Sequence, residues 1–170
     1  MGTRLAGLTR LRPALGAGRV DAGLSLRRAR RDDCPGLFAW YAAAYRDHID
    51  AIWGWDDGWQ RRDFGRLFER VRPLVVVDGA RDVGYLQVLW RAGALHLANI
   101  VLVAEARGAG RGGRLLGHLQ ARAGRLDRAV TLRVFRTNAR AEAFYARHGF
   151  RRSGQSDTHV EMRWRAVGPG

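Results

Sequence analysis

Between an apolar run, Leu95–Val103, and an amphipathic one, Gly110–Arg125, the chain reads Arg107-Gly108-Ala109-Gly110-Arg111-Gly112-Gly113. A strand that enters a helix through glycines restricts the fold more than any other stretch of this sequence. Glycine lets the backbone turn tightly and approach a ligand with no Cβ in the way. The free amides of the first helical turn then face an anion, and the helix dipole favours negative charge there. Arg107 and Arg111 add cationic donors. A phosphate or pyrophosphate is the natural ligand of such a loop.

The common phosphate-binding loops fit poorly. A P-loop needs Gly-Lys-Ser/Thr, and all 30 basic residues of this chain are arginine. Gly108, Gly110 and Gly113 satisfy Gly-x-Gly-x-x-Gly, yet a dinucleotide fold also wants an acid at the end of the next strand. That strand, Val130–Phe135, is followed by Arg136 and Thr137. Too little chain remains after it to complete a doubly wound sheet.

The wider pattern is regular. Leu24-Ser25-Leu26 alternates as a first strand. Asp32 or Asp33 can cap a helix that carries Leu37, Phe38, Trp40, Tyr41, Ala44 and Tyr45 at helical spacing. The segment from Trp53 to Trp59 reads as an aromatic, acidic loop, and a second helix follows over Gln60–Arg70. Leu74–Val77 and Val83–Trp90 form a hairpin about Asp78-Gly79, and Leu95–Val103, apolar on both faces, reads as a central strand. Helix three covers Gly110–Arg125 and buries Leu115, Leu116, Leu119 and Ala123. A strand at Val130–Phe135, a helix at Asn138–His148, and strands at Phe150–Ser153 and Thr158–Trp164 complete the order β-α-α-β-β-β-α-β-α-β-β. The expected fold class is α/β, a mixed and mostly antiparallel twisted sheet of about seven strands flanked by about four helices.

Composition removes several alternatives. No apolar stretch approaches the ~20 residues of a membrane-spanning helix. The single cysteine, Cys34, rules out an internal disulfide and a cysteine-built zinc site, and the five histidines lack metal-ligand spacing, so no metal is expected. Formal net charge is +14, and residues 1–31 hold eight arginines against one acid, Asp21. Residues 1–23 therefore read as an Arg-rich, poorly ordered extension, with Leu5, Leu8, Leu11 and Leu15 along one face and Pro13 interrupting it. Residues 24–170 read as a single domain. The extension lacks the apolar core of a secretory signal, so a cytoplasmic protein is expected, with no membrane partner. Arginine is spread throughout and no nucleic-acid module appears, which argues against a nucleic-acid partner.

Two motifs together carry a resemblance. Arg107-x-x-Gly110-x-Gly112 is similar to the Arg/Gln-x-x-Gly-x-Gly/Ala signature of the GNAT family, the GCN5-related N-acetyltransferases. The stretch Asn138-Ala139-Arg140-Ala141-Glu142-Ala143-Phe144-Tyr145-Ala146-Arg147-His148-Gly149-Phe150 resembles the family's second signature, an Asn and a Phe-Tyr pair followed by Gly-Phe. One helix and one strand lie between them, as the family requires. The resemblance covers about Leu24 to Trp164.

The resemblance implies an enzyme: an acetyl-CoA-dependent N-acetyltransferase acting on a small-molecule or peptide amine, with a homodimer as a common arrangement among relatives. Ile100, Val101, Leu102 and Val103 would line the pantetheine arm. Gly108, Ala109, Gly110, Gly112 and Gly113, with Arg107 and Arg111, would hold the pyrophosphate. Asn138 would contact the pantetheine and Tyr145 would stand near the sulfur as general acid. For the base, Glu105 and His96 are the candidates, and Asn99 can position a water. For the acceptor, Trp53, Trp55, Asp56 and Asp57 offer aromatic faces and carboxylates to a cationic amine. The competing readings are a catalytically silent acyl-CoA-binding or interaction domain and a basic nucleic-acid-binding protein.

Overall fold

A computed structural model describes residues 13–166. The eight strands are β1 (Gly18–Arg19), β2 (Leu24–Arg28), β3 (Leu74–Asp78), β4 (Arg81–Arg91), β5 (Ala94–Leu102), β6 (Val130–Phe135), β7 (Arg151–Gln155) and β8 (His159–Trp164). The four α-helices are α1 (Cys34–Trp53), α2 (Asp57–Arg70), α3 (Arg111–Arg125) and α4 (Ala139–Arg147). The strands form one sheet in the order β1-β2-β3-β4-β5-β6-β8-β7. Every neighbouring pair is antiparallel except β5 and β6. The expected fold class holds, with one strand more at the amino-terminal edge.

That edge corrects the boundary drawn at residue 24. Pro13 bridges to Leu89, and the Ala14 amide donates to the Val88 carbonyl at 3.1 Å. Ala14 and Leu15 are buried in the core, β1 pairs with β2, and the Asp21 carboxylate accepts from the Arg114 guanidinium on α3, 2.6 Å from Nε. Two apolar side chains and one acid tie residues 13–22 into the domain, a contribution too small to shift the composition of an Arg-rich stretch. Residues 1–12, with Leu5, Leu8 and Leu11, lie outside the described residues.

Strand alternation sorts the core into two layers. Even-numbered β6 residues Val130, Leu132 and Val134 join Leu115, Leu116, Leu119 and Ala123 of α3 and Tyr145 of α4 on one face. On the other face, Leu37 and Phe38 of α1 and Phe64 and Phe68 of α2 cover Val75, Tyr85 and Val101. The paired α1 and α2 cover the β3–β5 half of that face, and α1 reaches on to Phe135 of β6 and His159 of β8 through Tyr45 and Trp53.

Sequence and structure part company between α1 and α2. Trp53 is still helical, and Gly54, at φ +79°, ends α1. Asp56 caps α2 by accepting from the Trp59 amide at 2.8 Å, so that helix begins at Asp57 rather than Gln60.

Candidate active site

The parallel β5–β6 pair is short. Its register runs only through Leu95↔Val130, His96↔Thr131 and Leu97↔Leu132, while β5 stays paired with β4 through Leu102. Past Leu97 the two strands diverge, and Ile100, Val101 and Leu102 pair on the β4 side alone. Val103 follows, its amide bonded to the Val83 carbonyl at 3.0 Å. The result is a gap inside the sheet, opening toward the loop before α3.

Gly108 and Gly110 take positive φ, +83° and +71°, which a residue with a Cβ adopts at a cost. A Cβ built at either meets nothing within 4 Å, so the space before the loop is open. Gly110 is the N-cap of α3 and no side chain caps the helix, which leaves its first amides free for an anion. The expected pyrophosphate site therefore has the right chemistry for a diphosphate. Ala109 and Arg107 are exposed beside it, with Arg107 Nε donating to the Leu102 carbonyl at 2.9 Å.

The remaining loop residues have structural roles as well. Arg111 Nε donates to Asp78 at 2.7 Å, and its guanidinium also reaches the Ala106 carbonyl. It ties the start of α3 to the end of β3 instead of standing free. Gly112 and Gly113 serve helix packing: added Cβ atoms would lie 3.2 Å from the Phe144 ring and 2.7 Å from His148 Nε2. The His148 ring is itself held by the Phe144 carbonyl at 2.8 Å.

On α4, Asn138 is the N-cap and its Oδ1 accepts from the Ala141 amide at 3.0 Å, leaving the amide NH2 for other partners. Glu142 is engaged by Arg152. Tyr145 is 9% exposed, with its ring against Phe144 and Phe150 at centroid distances of 5.3 and 5.7 Å. Burial first, and the nearby Tyr45 phenol second, push its hydroxyl pKa well above the usual phenol value.

Tyr145 is one of four tyrosines in the chain, and all four converge here. Tyr41 and Tyr45 lie one helical turn apart on α1, their rings 5.1 Å apart. The Tyr45 phenol is pushed up to about 12 by burial, against a hydrogen bond from the Ile100 backbone amide. Tyr85 is buried beneath them, and its hydroxyl has no hydrogen-bond partner among the described residues. Tyr45 thus joins the α1 layer to the β5 backbone inside the gap.

Asn99 belongs to a fixed relay. Gln87 Nε2 donates to the Val71 carbonyl at 2.6 Å, and Asn99 Nδ2 donates to Gln87 Oε1 at 2.9 Å. Because the chain ends on a backbone acceptor, both amide orientations are set. Asn99 Oδ1 is left as the free acceptor.

The two base candidates separate. His96 Nδ1 lies 3.0 Å from the Thr131 hydroxyl, and burial, reinforced by Arg91 and Arg133, lowers its pKa to about 4. It is a neutral and weak base. Glu105 sits exposed on the 3₁₀ turn Ala104–Ala106, directly before the glycine loop.

A cleft of about 400 Å³ lies between the α1–α2 junction and the ends of β6 and β8. Tyr41, Trp53, Trp59, Phe135 and His159 wall it, and Asp56, Asp63 and Gln60 add polar groups. Trp53 and Trp59, 44% and 36% exposed, are the two large exposed apolar side chains among the described residues. Of the four expected acceptor residues, Trp53 and Asp56 line this cleft. Trp55 and Asp57 do not. Trp55 packs against Phe38 and Tyr41 beneath the Arg46 guanidinium, and Asp57 is paired with Arg61 at 2.6 Å. Helical phase separates them: α1 ends at Trp53 and Asp56 begins a new helix, so alternate residues turn inward.

Sequence reasoning missed Trp59, Asp63, Phe135 and His159. They come from a helix, a strand end and a hairpin distant in the chain. Phe135 and His159 meet because they are register partners in the β6–β8 ladder. The signal available was modest: Phe135 is the one aromatic residue on β6, placed on its non-core phase.

Residues 69–152 match the sequence profile described as an acetyltransferase (GNAT) domain. A search of curated protein sequences finds no match. Among solved structures, an acetyltransferase from Thermus thermophilus superposes with a TM-score of 0.66 at 20% identity, over 91% of this chain and 100% of that one. PaiA N-acetyltransferase from Thermoplasma acidophilum, in complex with coenzyme A, gives 0.68 at 16% identity, over 84% and 99%. Spermidine N-acetyltransferase from Vibrio cholerae, in complex with CoA and spermine, gives 0.64 at 16% identity, over 85% and 96%. With the profile match and the shared fold, residues 69–152 carry a GNAT acetyltransferase domain.

Proposed function

We infer that the chain is an acetyl-CoA-dependent N-acetyltransferase whose acceptor is a primary amine. One observation carries the reading: the gap between β5 and β6 lies between a glycine-capped helix start, suited to a diphosphate, and a cleft with carboxylates and aromatic walls, suited to an ammonium group. Acetyl-CoA supplies the activated acyl group as a thioester. The amides from Gly108 to Gly113 hold the diphosphate, with Arg107 beside them. Residues Ile100 to Val103 offer backbone groups to the pantetheine arm, as does the free amide of Asn138.

The acceptor must arrive as a neutral amine to attack a thioester carbonyl. Asn99 Oδ1 holds the water that takes the ammonium proton, a role that the weakly basic His96 does not fill and that leaves Glu105 at the rim as the proton's exit. Tyr145 stays protonated across the physiological range because burial raises its pKa. It donates a hydrogen bond to the departing sulfur, a general-acid contribution that does not require free ionisation of the phenol.

Thermal unfolding with and without acetyl-CoA tests the reading, with NADPH and a short RNA as controls. At ~100 times its Kd a ligand specific to the folded state stabilises by ~2.7 kcal/mol, roughly 5–10 °C for a domain of this size. A shift with acetyl-CoA alone, followed by amine-dependent release of free thiol, is the expected result. A shift without thiol release for any amine supports a silent acyl-CoA-binding domain. A shift only with NADPH or RNA refutes the cofactor assignment.

A further inference from the structure

Among the described residues, Arg133 is the one charged side chain with a buried donor that has no partner. It lies on β6 between Thr131 and Phe135, on the same face as Phe135, which α1 covers through Tyr45 and Trp53. Its side chain is 23% exposed, and the nearest acid, Glu161, is 3.8 Å from Nε, too far for a hydrogen bond. Nε is wholly buried and has no partner among the described residues. A guanidinium carries five N–H donors in a fixed fork, and a buried N–H without an acceptor is costly. Its other neighbours offer no anion. His96 and His159 lie close enough for its charge to lower their pKa values, and the Thr131 hydroxyl already meets His96. Arg163, across from Thr131 on β8, only adds positive charge.

Its position relates this fork to the candidate site. The last paired row of β5 and β6 is Leu97↔Leu132, so Arg133 stands at the apex of the gap. Two residues further, on the same face, Phe135 and its partner His159 form a wall of the cleft, about 7 Å away by strand geometry. Arg133 is not itself a wall of the cleft; it stands beside that wall, two residues from Phe135 on the same face.

We propose that Arg133 binds a carboxylate carried by the acceptor, so that the site takes amino acids with an aromatic or other apolar side chain in preference to simple amines. The proposal rests on the acetyl-transfer reading above. An α-amino acid presents ammonium, carboxylate and side chain from one carbon. The apolar walls formed by Trp53, Trp59 and Phe135 receive the side chain, Arg133 the carboxylate in fork-to-fork geometry, and the amine is left at the gap. Glu161 is then the placeholder that shields the guanidinium between turnovers.

The test compares ligands that differ only in the carboxylate. N-acetyl-L-phenylalanine and N-acetylphenethylamine are titrated by calorimetry into the full chain and into Arg133→Met, with acetyl-CoA titrated in parallel. L-phenylalanine and phenethylamine serve as acceptors in the transfer assay. Methionine keeps the volume and removes the charge, and Glu161, 51% exposed and 3.8 Å away, is left in water rather than buried without its partner. The wild type should bind the carboxylate-bearing ligand at least tenfold more tightly. Arg133→Met should abolish that preference while the Kd for N-acetylphenethylamine and for acetyl-CoA changes less than twofold. Equal binding of both ligands to the wild type, or an equal loss for both in the variant, overturns the proposal. Failure to bind acetyl-CoA would defeat the transfer reading alone, because the carboxylate preference is read on the binary complex.

Discussion

Tyr145 has a packing role from which the proposed chemistry can be separated. Its ring completes the α4 layer of the core between Phe144 and Phe150, so substitution of the whole residue would confound the two roles. Removing only the hydroxyl separates them. Tyr145→Phe should fold normally, bind acetyl-CoA as before and lose roughly 10²–10⁴ in kcat if the phenol assists the departing sulfur. Single-turnover kinetics at saturating cofactor check this, and a loss below threefold removes the role. Two residues away from expectation, Arg111 and Asp57 teach the converse. Charge and position suggest a ligand role for both, yet each side chain is engaged in an ion pair, with Asp78 and Arg61 respectively. A sequence displays a charge but not the partner that neutralises it.

At the scale of elements, local pattern was a good guide wherever one face of an element is buried. The alternation Val130, Leu132, Val134 marks β6 to the residue, and Leu115, Leu116, Leu119 and Ala123 mark the inner face of α3. It failed at the α1–α2 junction, where an aspartate that reads equally well as ligand or cap is in fact the cap of α2. It showed one side of the cleft, through Trp53 and Asp56, but not the other, because Asp63, Phe135 and His159 are assembled by strand register and helix packing across distant segments. The cap of α4 raises the same ambiguity and allows it to be resolved. Asn138→Ala should cost ~1 kcal/mol of stability through the lost bond to the Ala141 amide. Asn138→Asp keeps an acceptor at the cap and so should keep stability, but it loses the amide donor and should weaken acetyl-CoA binding. Denaturant titration and calorimetry on the two variants distinguish them; equal cofactor affinity in Asn138→Asp and wild type would confine Asn138 to capping.

The whole molecule carries its buried imidazoles as an acid sensitivity. His96 and His159 are both lowered to about 4, by burial first and then by arginine charge, against ~6.5 for a free imidazole. Above ~6.5 neither state binds these protons and stability does not depend on them. As pH falls from 6.5 toward 4 the unfolded chain takes up protons that the folded chain refuses, so stability falls. Asp33, held below the ordinary carboxylate range by Arg27, acts in a separate window. Its contribution is present above ~4 and is lost only on further acidification. The melting temperature should therefore be level from pH 7.5 to 6.5 and decline between 6.5 and 4.5, and His96→Gln should flatten that decline. A melting temperature constant down to pH 4.5 would count against neutral burial of the histidines.

A sheet interrupted between its fifth and sixth strands has an edge on its inside. Amides of β5 that point across the divergence have no strand to receive them; the Ile100 amide meets the Tyr45 phenol instead, and the others are expected to exchange with solvent more readily than those facing β4. On the reading proposed above, a bound pantetheine arm, itself an amide-bearing chain, would take the place of the absent rungs. Hydrogen exchange at these few positions is thus a clock that slows when the ligand is present.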